Sequence, residues 1–136
     1  MRVVLDTNVL VSGLLRADGP PGRVVDLVTA GRLSVLYDDR IVGEYDDVLH
    51  RPRFDFEPSA VHAILTQIRA GGEHVSAEPL AVVLPDADDL PFLEVAVAGV
   101  ARALITGNAP HYKPTKGTHH VPNRSPRDFI ADWSRR

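Results

Sequence analysis

The stretch MRVVLDTNVLVSGLL, residues 1–15, decides how the rest of the chain reads. Val3, Val4 and Leu5 form a short, continuous apolar run that stops at one carboxylate, Asp6. Such runs read as strands buried on both faces, as in parallel sheets. The chain turns apolar again after Thr7 and Asn8, and Asn8 is placed to cap a helix through about Leu15. If Asn8 caps, Asp6 has no structural task. In open parallel sheets, ligands bind outside the carboxyl ends of the strands, where the strand order reverses. Asp6 therefore marks a candidate site as well as the end of a core strand.

The same alternation continues downstream. Pro21 can begin a helix to about Ala30, which Gly31 ends. Leu33–Tyr37 reads as a second strand. Asp38 or Asp39 then caps a helix to about His50, stopped by Arg51-Pro52. Pro58-Ser59 opens a helix to Ala70, before Gly71-Gly72. Residues 73–87 read as a loop with short strands, and Asp88 or Asp89 caps a helix over Leu90–Val100. Ala103–Ile105 is a third core strand, residues 108–120 a polar loop, and Ser125-Pro126 the start of a last helix. Strands alternating with helices predict an α/β fold with a mostly parallel sheet. At 136 residues, a single domain over 1–136 is expected.

Composition narrows the function classes. There is no cysteine, which excludes disulfide scaffolds, thiolate zinc sites and cysteine nucleophiles. Asp6 interrupts the only N-terminal apolar run, so no secretory signal is read. No stretch approaches the roughly 20 apolar residues of a membrane helix, and a soluble cytoplasmic protein is expected. Charge is uneven. Residues 1–110 carry 9 basic against 16 acidic side chains, and residues 111–136 carry 6 basic against 2 acidic. That tail, with Lys113, Lys116, His111, His119 and His120, suits a phosphate-contacting patch. The histidines lack the spacing of a zinc site.

Acids other than Asp6 collect in two further segments. In RIVGEYDDVLH, residues 40–50, Ile41, Tyr45, Val48 and Leu49 form one apolar stripe. At about 100° per residue, Glu44 falls on the margin of that stripe, while Asp46 and Asp47 face away. A carboxylate at such a margin is costly unless it is paired or binds a cation. In LPDADDLPFLEVA, residues 84–96, Asp86, Asp88 and Asp89 exceed what one helix cap needs. Glu94 lies off the Phe92 face and reads as a solvated residue. Asn108 follows the third core strand, just after Thr106 and Gly107. Carboxylates from several segments around one crevice repel each other unless they hold a hard divalent cation, which takes oxygen ligands. Such a cation can activate water for phosphodiester hydrolysis.

These residues together resemble a PIN domain, the metal-dependent nuclease fold of many toxin–antitoxin toxins. The likeness runs in order through DTNVLVSGLL, GEYDDVLHRPRF, PDADDLPFLEVA, ALITGN with HYKP, and SPRDFI. It implies a three-layer α/β/α sandwich and a ribonuclease dependent on Mg²⁺ or Mn²⁺. Asp6 matches the first family acid and Glu44 the second. The third lies in the DADD run, with Asp89 favoured by helix register and Asp88 or Asp86 as alternatives. The fourth position, usually Asp, is Asn108, which adds no charge. Asn8 and Ser12 match supporting polar residues beside the first acid, and Thr106 the one before the fourth position. The resemblance further implies an RNA substrate, a homodimer and a neutralising antitoxin.

Three function classes compete. The first is a metal-dependent endoribonuclease using Asp6, Glu44 and Asp89, with Arg51, Lys113 and Lys116 on the RNA backbone. The second is a weakened or non-catalytic PIN-fold module that binds RNA or antitoxin, suggested by Asn108. The third is a phosphotransfer domain. A dehalogenase-type site needs an acid where Asn8 stands, and a receiver needs paired acids after its first strand, so neither pattern fits.

Overall fold

The computed structural model describes residues 1–108, 112 and 121–135. Five strands form one parallel sheet: β1 (Arg2–Leu5), β2 (Ser34–Tyr37), β3 (Glu73–His74), β4 (Ala103–Ile105) and β5 (Asn123–Arg124). Their order is β3-β2-β1-β4-β5. Six α-helices flank it: α1 (Thr7–Leu15), α2 (Pro20–Thr29), α3 (Asp39–Leu49), α4 (Pro58–Gly71), α5 (Leu90–Ala98) and α6 (Pro126–Ser134). The result is a three-layer α/β/α sandwich. No helix among the described residues is long and apolar enough to cross a membrane.

The strand order explains where a site can form. The chain lays β1, β2 and β3 in one direction, then returns to place β4 and β5 on the other side of β1. Because crossovers between parallel strands are right-handed, that reversal also changes the face on which the helices lie. The carboxyl ends of β1 and β4 flank the reversal, and a crevice opens there. β1 is paired on both sides, with Val3 opposite Val35 and Ala103, which is why Val3, Val4 and Leu5 are wholly buried.

Local chemistry sets most element ends. Asp38 caps α3, its Oδ1 accepting from the Ile41 amide at 3.1 Å, and Ser125 caps α6 by accepting from the Asp128 amide at 3.0 Å. Gly31 ends α2 with φ +74°, a conformation that favours glycine. Gly13 lets α1 meet α2, since a Cβ there would stand 2.6 Å from Val25 Cγ2.

Several boundaries differ from the sequence reading. Asn8 is not the cap of α1: the helix begins at Thr7, and Asp6 takes the cap position without a side-chain cap bond. Asn8 is inside the helix, and its Oδ1 accepts from the Gly107 amide at 3.4 Å. The DADD run splits its duties. Asp86 caps a 3₁₀ turn over Ala87–Asp89 by accepting from the Asp88 amide at 2.9 Å, and α5 follows. α5 ends at Ala98 rather than Val100, which takes φ +50° instead. β5 has only two residues, too few for any periodicity to reveal.

Candidate active site

Asp6 leaves β1 at the reversal with 5% of its surface exposed. Its amide donates to the Ile105 carbonyl at 3.0 Å, which ties it to the end of β4. Its Oδ2 accepts from Thr106 Oγ1 at 2.7 Å and from the Tyr112 hydroxyl at 3.4 Å. Thr106 is fully buried, and its Oγ1 also accepts from the Asn108 amide at 3.0 Å. The two central strands thus meet through one carboxylate and one hydroxyl.

Glu44 comes to the same place from α3. It is half-buried, as the apolar stripe predicts, and accepts a hydrogen bond from Thr7 Oγ1. Tyr45, next on α3, is wholly buried and donates to the Leu5 carbonyl at 2.5 Å. That bond pins the helix to the end of β1, so Glu44 is held beside Asp6. Asp89, at the start of α5, is 8% exposed, while Asp86 and Asp88 are exposed.

These acids feel one another. Burial raises the Asp6 carboxyl above its usual range, against hydrogen bonding from Thr106, and the charge of Asp89 raises it further. Burial also raises Glu44, helped by the charges of Asp6, Asp88 and Asp86 and opposed by the Thr7 hydrogen bond. Tyr45 and Tyr112 are pushed up by burial and then by Asp6. A buried hydroxyl that stays protonated remains a donor to a carboxylate or carbonyl.

The nearby cation is otherwise engaged. Arg40, one turn before Glu44, binds Asp38 Oδ2 at 2.7 Å and Glu94 Oε1 at 2.7 Å. Glu94 is therefore no solvated residue: it is 4% exposed, and its other oxygen accepts from the Leu80 amide at 2.8 Å. The apolar face of α5 did not predict this, because the carboxylate is covered by loop 75–84 and by α3 together.

The donor set suits a hard divalent ion, since it offers only carboxylate, hydroxyl and amide oxygens. Among the described residues, no three acids or histidines form a ready-made metal cage. Mg²⁺ does not require one, because it keeps several waters and uses one or two carboxylates.

The remaining sequence candidates separate. Asn108 is exposed at the crevice rim, close to Asn8 and to Ser12, an exposed residue of α1. Arg51 is half-exposed and pairs with Asp47 at 3.2 Å, one helical turn away. Lys113, Lys116, His111, His119 and His120 lie outside the described residues. Two contributors went unassigned in the sequence. Thr7 sits inside the quoted DTN, and its hydroxyl is the group that reaches Glu44. Tyr112 sits inside HYKP, and no local pattern says that it folds back onto Asp6.

No protein with a curated description matches the chain closely enough to count as a relative. A family model for the PIN domain matches residues 2–109, which span Asp6, Glu44, Asp89 and Asn108. The chain belongs to the PIN domain family, whose members are in general metal-dependent nucleases.

Proposed function

We propose that the protein is an endoribonuclease that cleaves RNA phosphodiester bonds with Mg²⁺ or Mn²⁺, acting as the toxin of a toxin–antitoxin pair. The observation that carries this reading is Asp6, a buried carboxylate at the strand reversal, raised in pKa by burial and Asp89. Asp6, Glu44 and Asp89 hold the ion, with Asp88 at the rim. When bound, the ion supplies a water activated for attack and neutralises charge on the phosphate. Thr106 and Tyr112 fix Asp6 by donating to its Oδ2. Thr7 holds Glu44 in the same way. Asn108 stands at the fourth position and can accept a hydrogen bond from water without adding charge.

The pure protein is expected to cut single-stranded RNA with Mg²⁺ or Mn²⁺, and EDTA is expected to stop it. Asp6→Asn should lower cleavage by at least about a hundredfold, in line with losing a group required in the transition state. Cleavage by Asp6→Asn at the parent rate would remove Asp6 from the mechanism. Asn108 supports a second reading, a weakened module that binds RNA or antitoxin without cutting. Metal binding without cleavage would favour it. A neutralising antitoxin and a homodimer extend the proposal by family resemblance.

A further inference from the structure

Beside the acids lies a cavity of different character. It has a volume of about 420 Å³, within the range of small-ligand sites. Its walls include Val9 and the rings of Pro20, Pro21 and Pro126. Among the described residues, Arg127 is its one ionisable lining residue and makes no ion pair. Asn8 and Asn108 line the side toward the acids, two residues beyond Asp6 and Thr106 respectively. The cavity is tied to the acids through Asn108, whose amide donates to Thr106 Oγ1, the hydroxyl that reaches Asp6.

We propose that this cavity is a nucleobase pocket that receives one unstacked nucleotide of the RNA, with Arg127 on its phosphate. The identity of the polymer rests on the nuclease reading above; the pocket rests on its own walls. An unstacked base has apolar faces and polar edges, which apolar walls beside a few amides and a guanidinium can meet. Asn8 Oδ1 is engaged by the Gly107 amide, so Asn8 offers its N–H donors. Asn108 offers both a donor and an acceptor, and Ser12 adds a hydroxyl. A guanidinium presents a fork of donors that matches phosphate oxygens. The pocket would read one base beside the cut and hold the phosphate on its far side at Arg127.

The test is an NMR titration of the full chain in EDTA, where no metal-dependent cleavage proceeds, using the four 5′-mononucleotides and a short single-stranded RNA. Shifts are expected to concentrate at Asn8, Ser12 and Asn108, with one base preferred over the weakest by about tenfold. Ser12→Phe, which fills the cavity from exposed α1, should abolish those shifts. Arg127→Gln should weaken all four nucleotides by a similar factor. Melting curves of both variants verify that they fold. Absence of shifts at these residues, or parent-like binding by both folded variants, overturns the pocket. That failure is distinct from failure of the nuclease reading. Mg²⁺-dependent cleavage with unchanged base preference in Ser12→Phe removes the pocket alone, whereas an inactive parent with intact shifts removes the nuclease alone.

Discussion

At Asp6 the fold carries a buried carboxylate at a cost in stability. Its ordinary carboxyl value is 3.8, and the fold raises it. Glu44 is likewise raised from 4.5. A raised carboxyl means that the folded chain binds the proton more tightly than the unfolded chain, so stability falls as pH rises. The destabilisation is absent below the unfolded values, grows from about pH 4 upward, and is complete above the raised folded values. Asp6→Asn removes its share. In EDTA the variant should melt a few degrees above the parent at pH 7.5, with the gap closing toward pH 4. Equal melting temperatures at both pH values would show that the buried Asp6 charge carries no such cost. Val100 makes a second case. It is a β-branched residue at φ +50° and is 79% exposed, in a backbone region that glycine occupies freely. Relief of that clash, less the entropy cost of glycine, predicts that Val100→Gly stabilises by about 0.5–1 kcal/mol in urea unfolding.

At the scale of elements, α3 and α5 are joined by polar groups as well as by the apolar contact of Tyr45 with Phe92, whose ring centroids lie 6.2 Å apart. Glu94 on α5 holds Arg40 on α3 and the Leu80 amide of the intervening loop. Removing this carboxylate leaves the Leu80 amide without its acceptor and Arg40 with Asp38 alone, which costs more than the pair itself contributes. Glu94→Ala should lose about 1–2 kcal/mol in urea unfolding, since Arg40 is half-exposed and keeps Asp38, and Glu94→Gln about half of that. A loss under about 0.5 kcal/mol for Glu94→Ala would mean that the bridge is solvated in solution. The bridge joins α3, which carries Glu44 one turn after Arg40, to α5, which Asp89 immediately precedes. The reading of Glu94 as solvated failed here for a definable reason. Helical periodicity records which face meets the sheet, and it does not record a loop that returns over the other face.

The whole molecule decides whether the acids become a site. Binding an ion to the folded chain alone stabilises it by mass action and competes with protons for the carboxylates. Mg²⁺ or Mn²⁺ should therefore raise the melting temperature of the parent more at pH 7.5 than at pH 5, and Asp6→Asn should lose most of that rise. Asn108→Asp adds a charge at the crevice rim. It should lower stability in EDTA and tighten Mn²⁺ binding by about tenfold in calorimetry, a change of about 1.4 kcal/mol. Unchanged affinity would place Asn108 outside the metal's reach.

By itself the sequence determined the alternation of strands and helices, the buried β1 run, an acid cap at Asp38 or Asp39, the Ser125 cap, the marginal position of Glu44 and the acid at the end of the first strand. These are matters of local sterics, periodicity and capping, which act over a few residues. Only the tertiary structure decided that Thr106 reaches Asp6 across 100 positions, that Tyr112 joins it, that Thr7 serves Glu44, and that Glu94 is buried. Those pairings follow from strand order and from the crossovers between strands. Strand order is a property of the whole sheet, and no local pattern in the chain carries it.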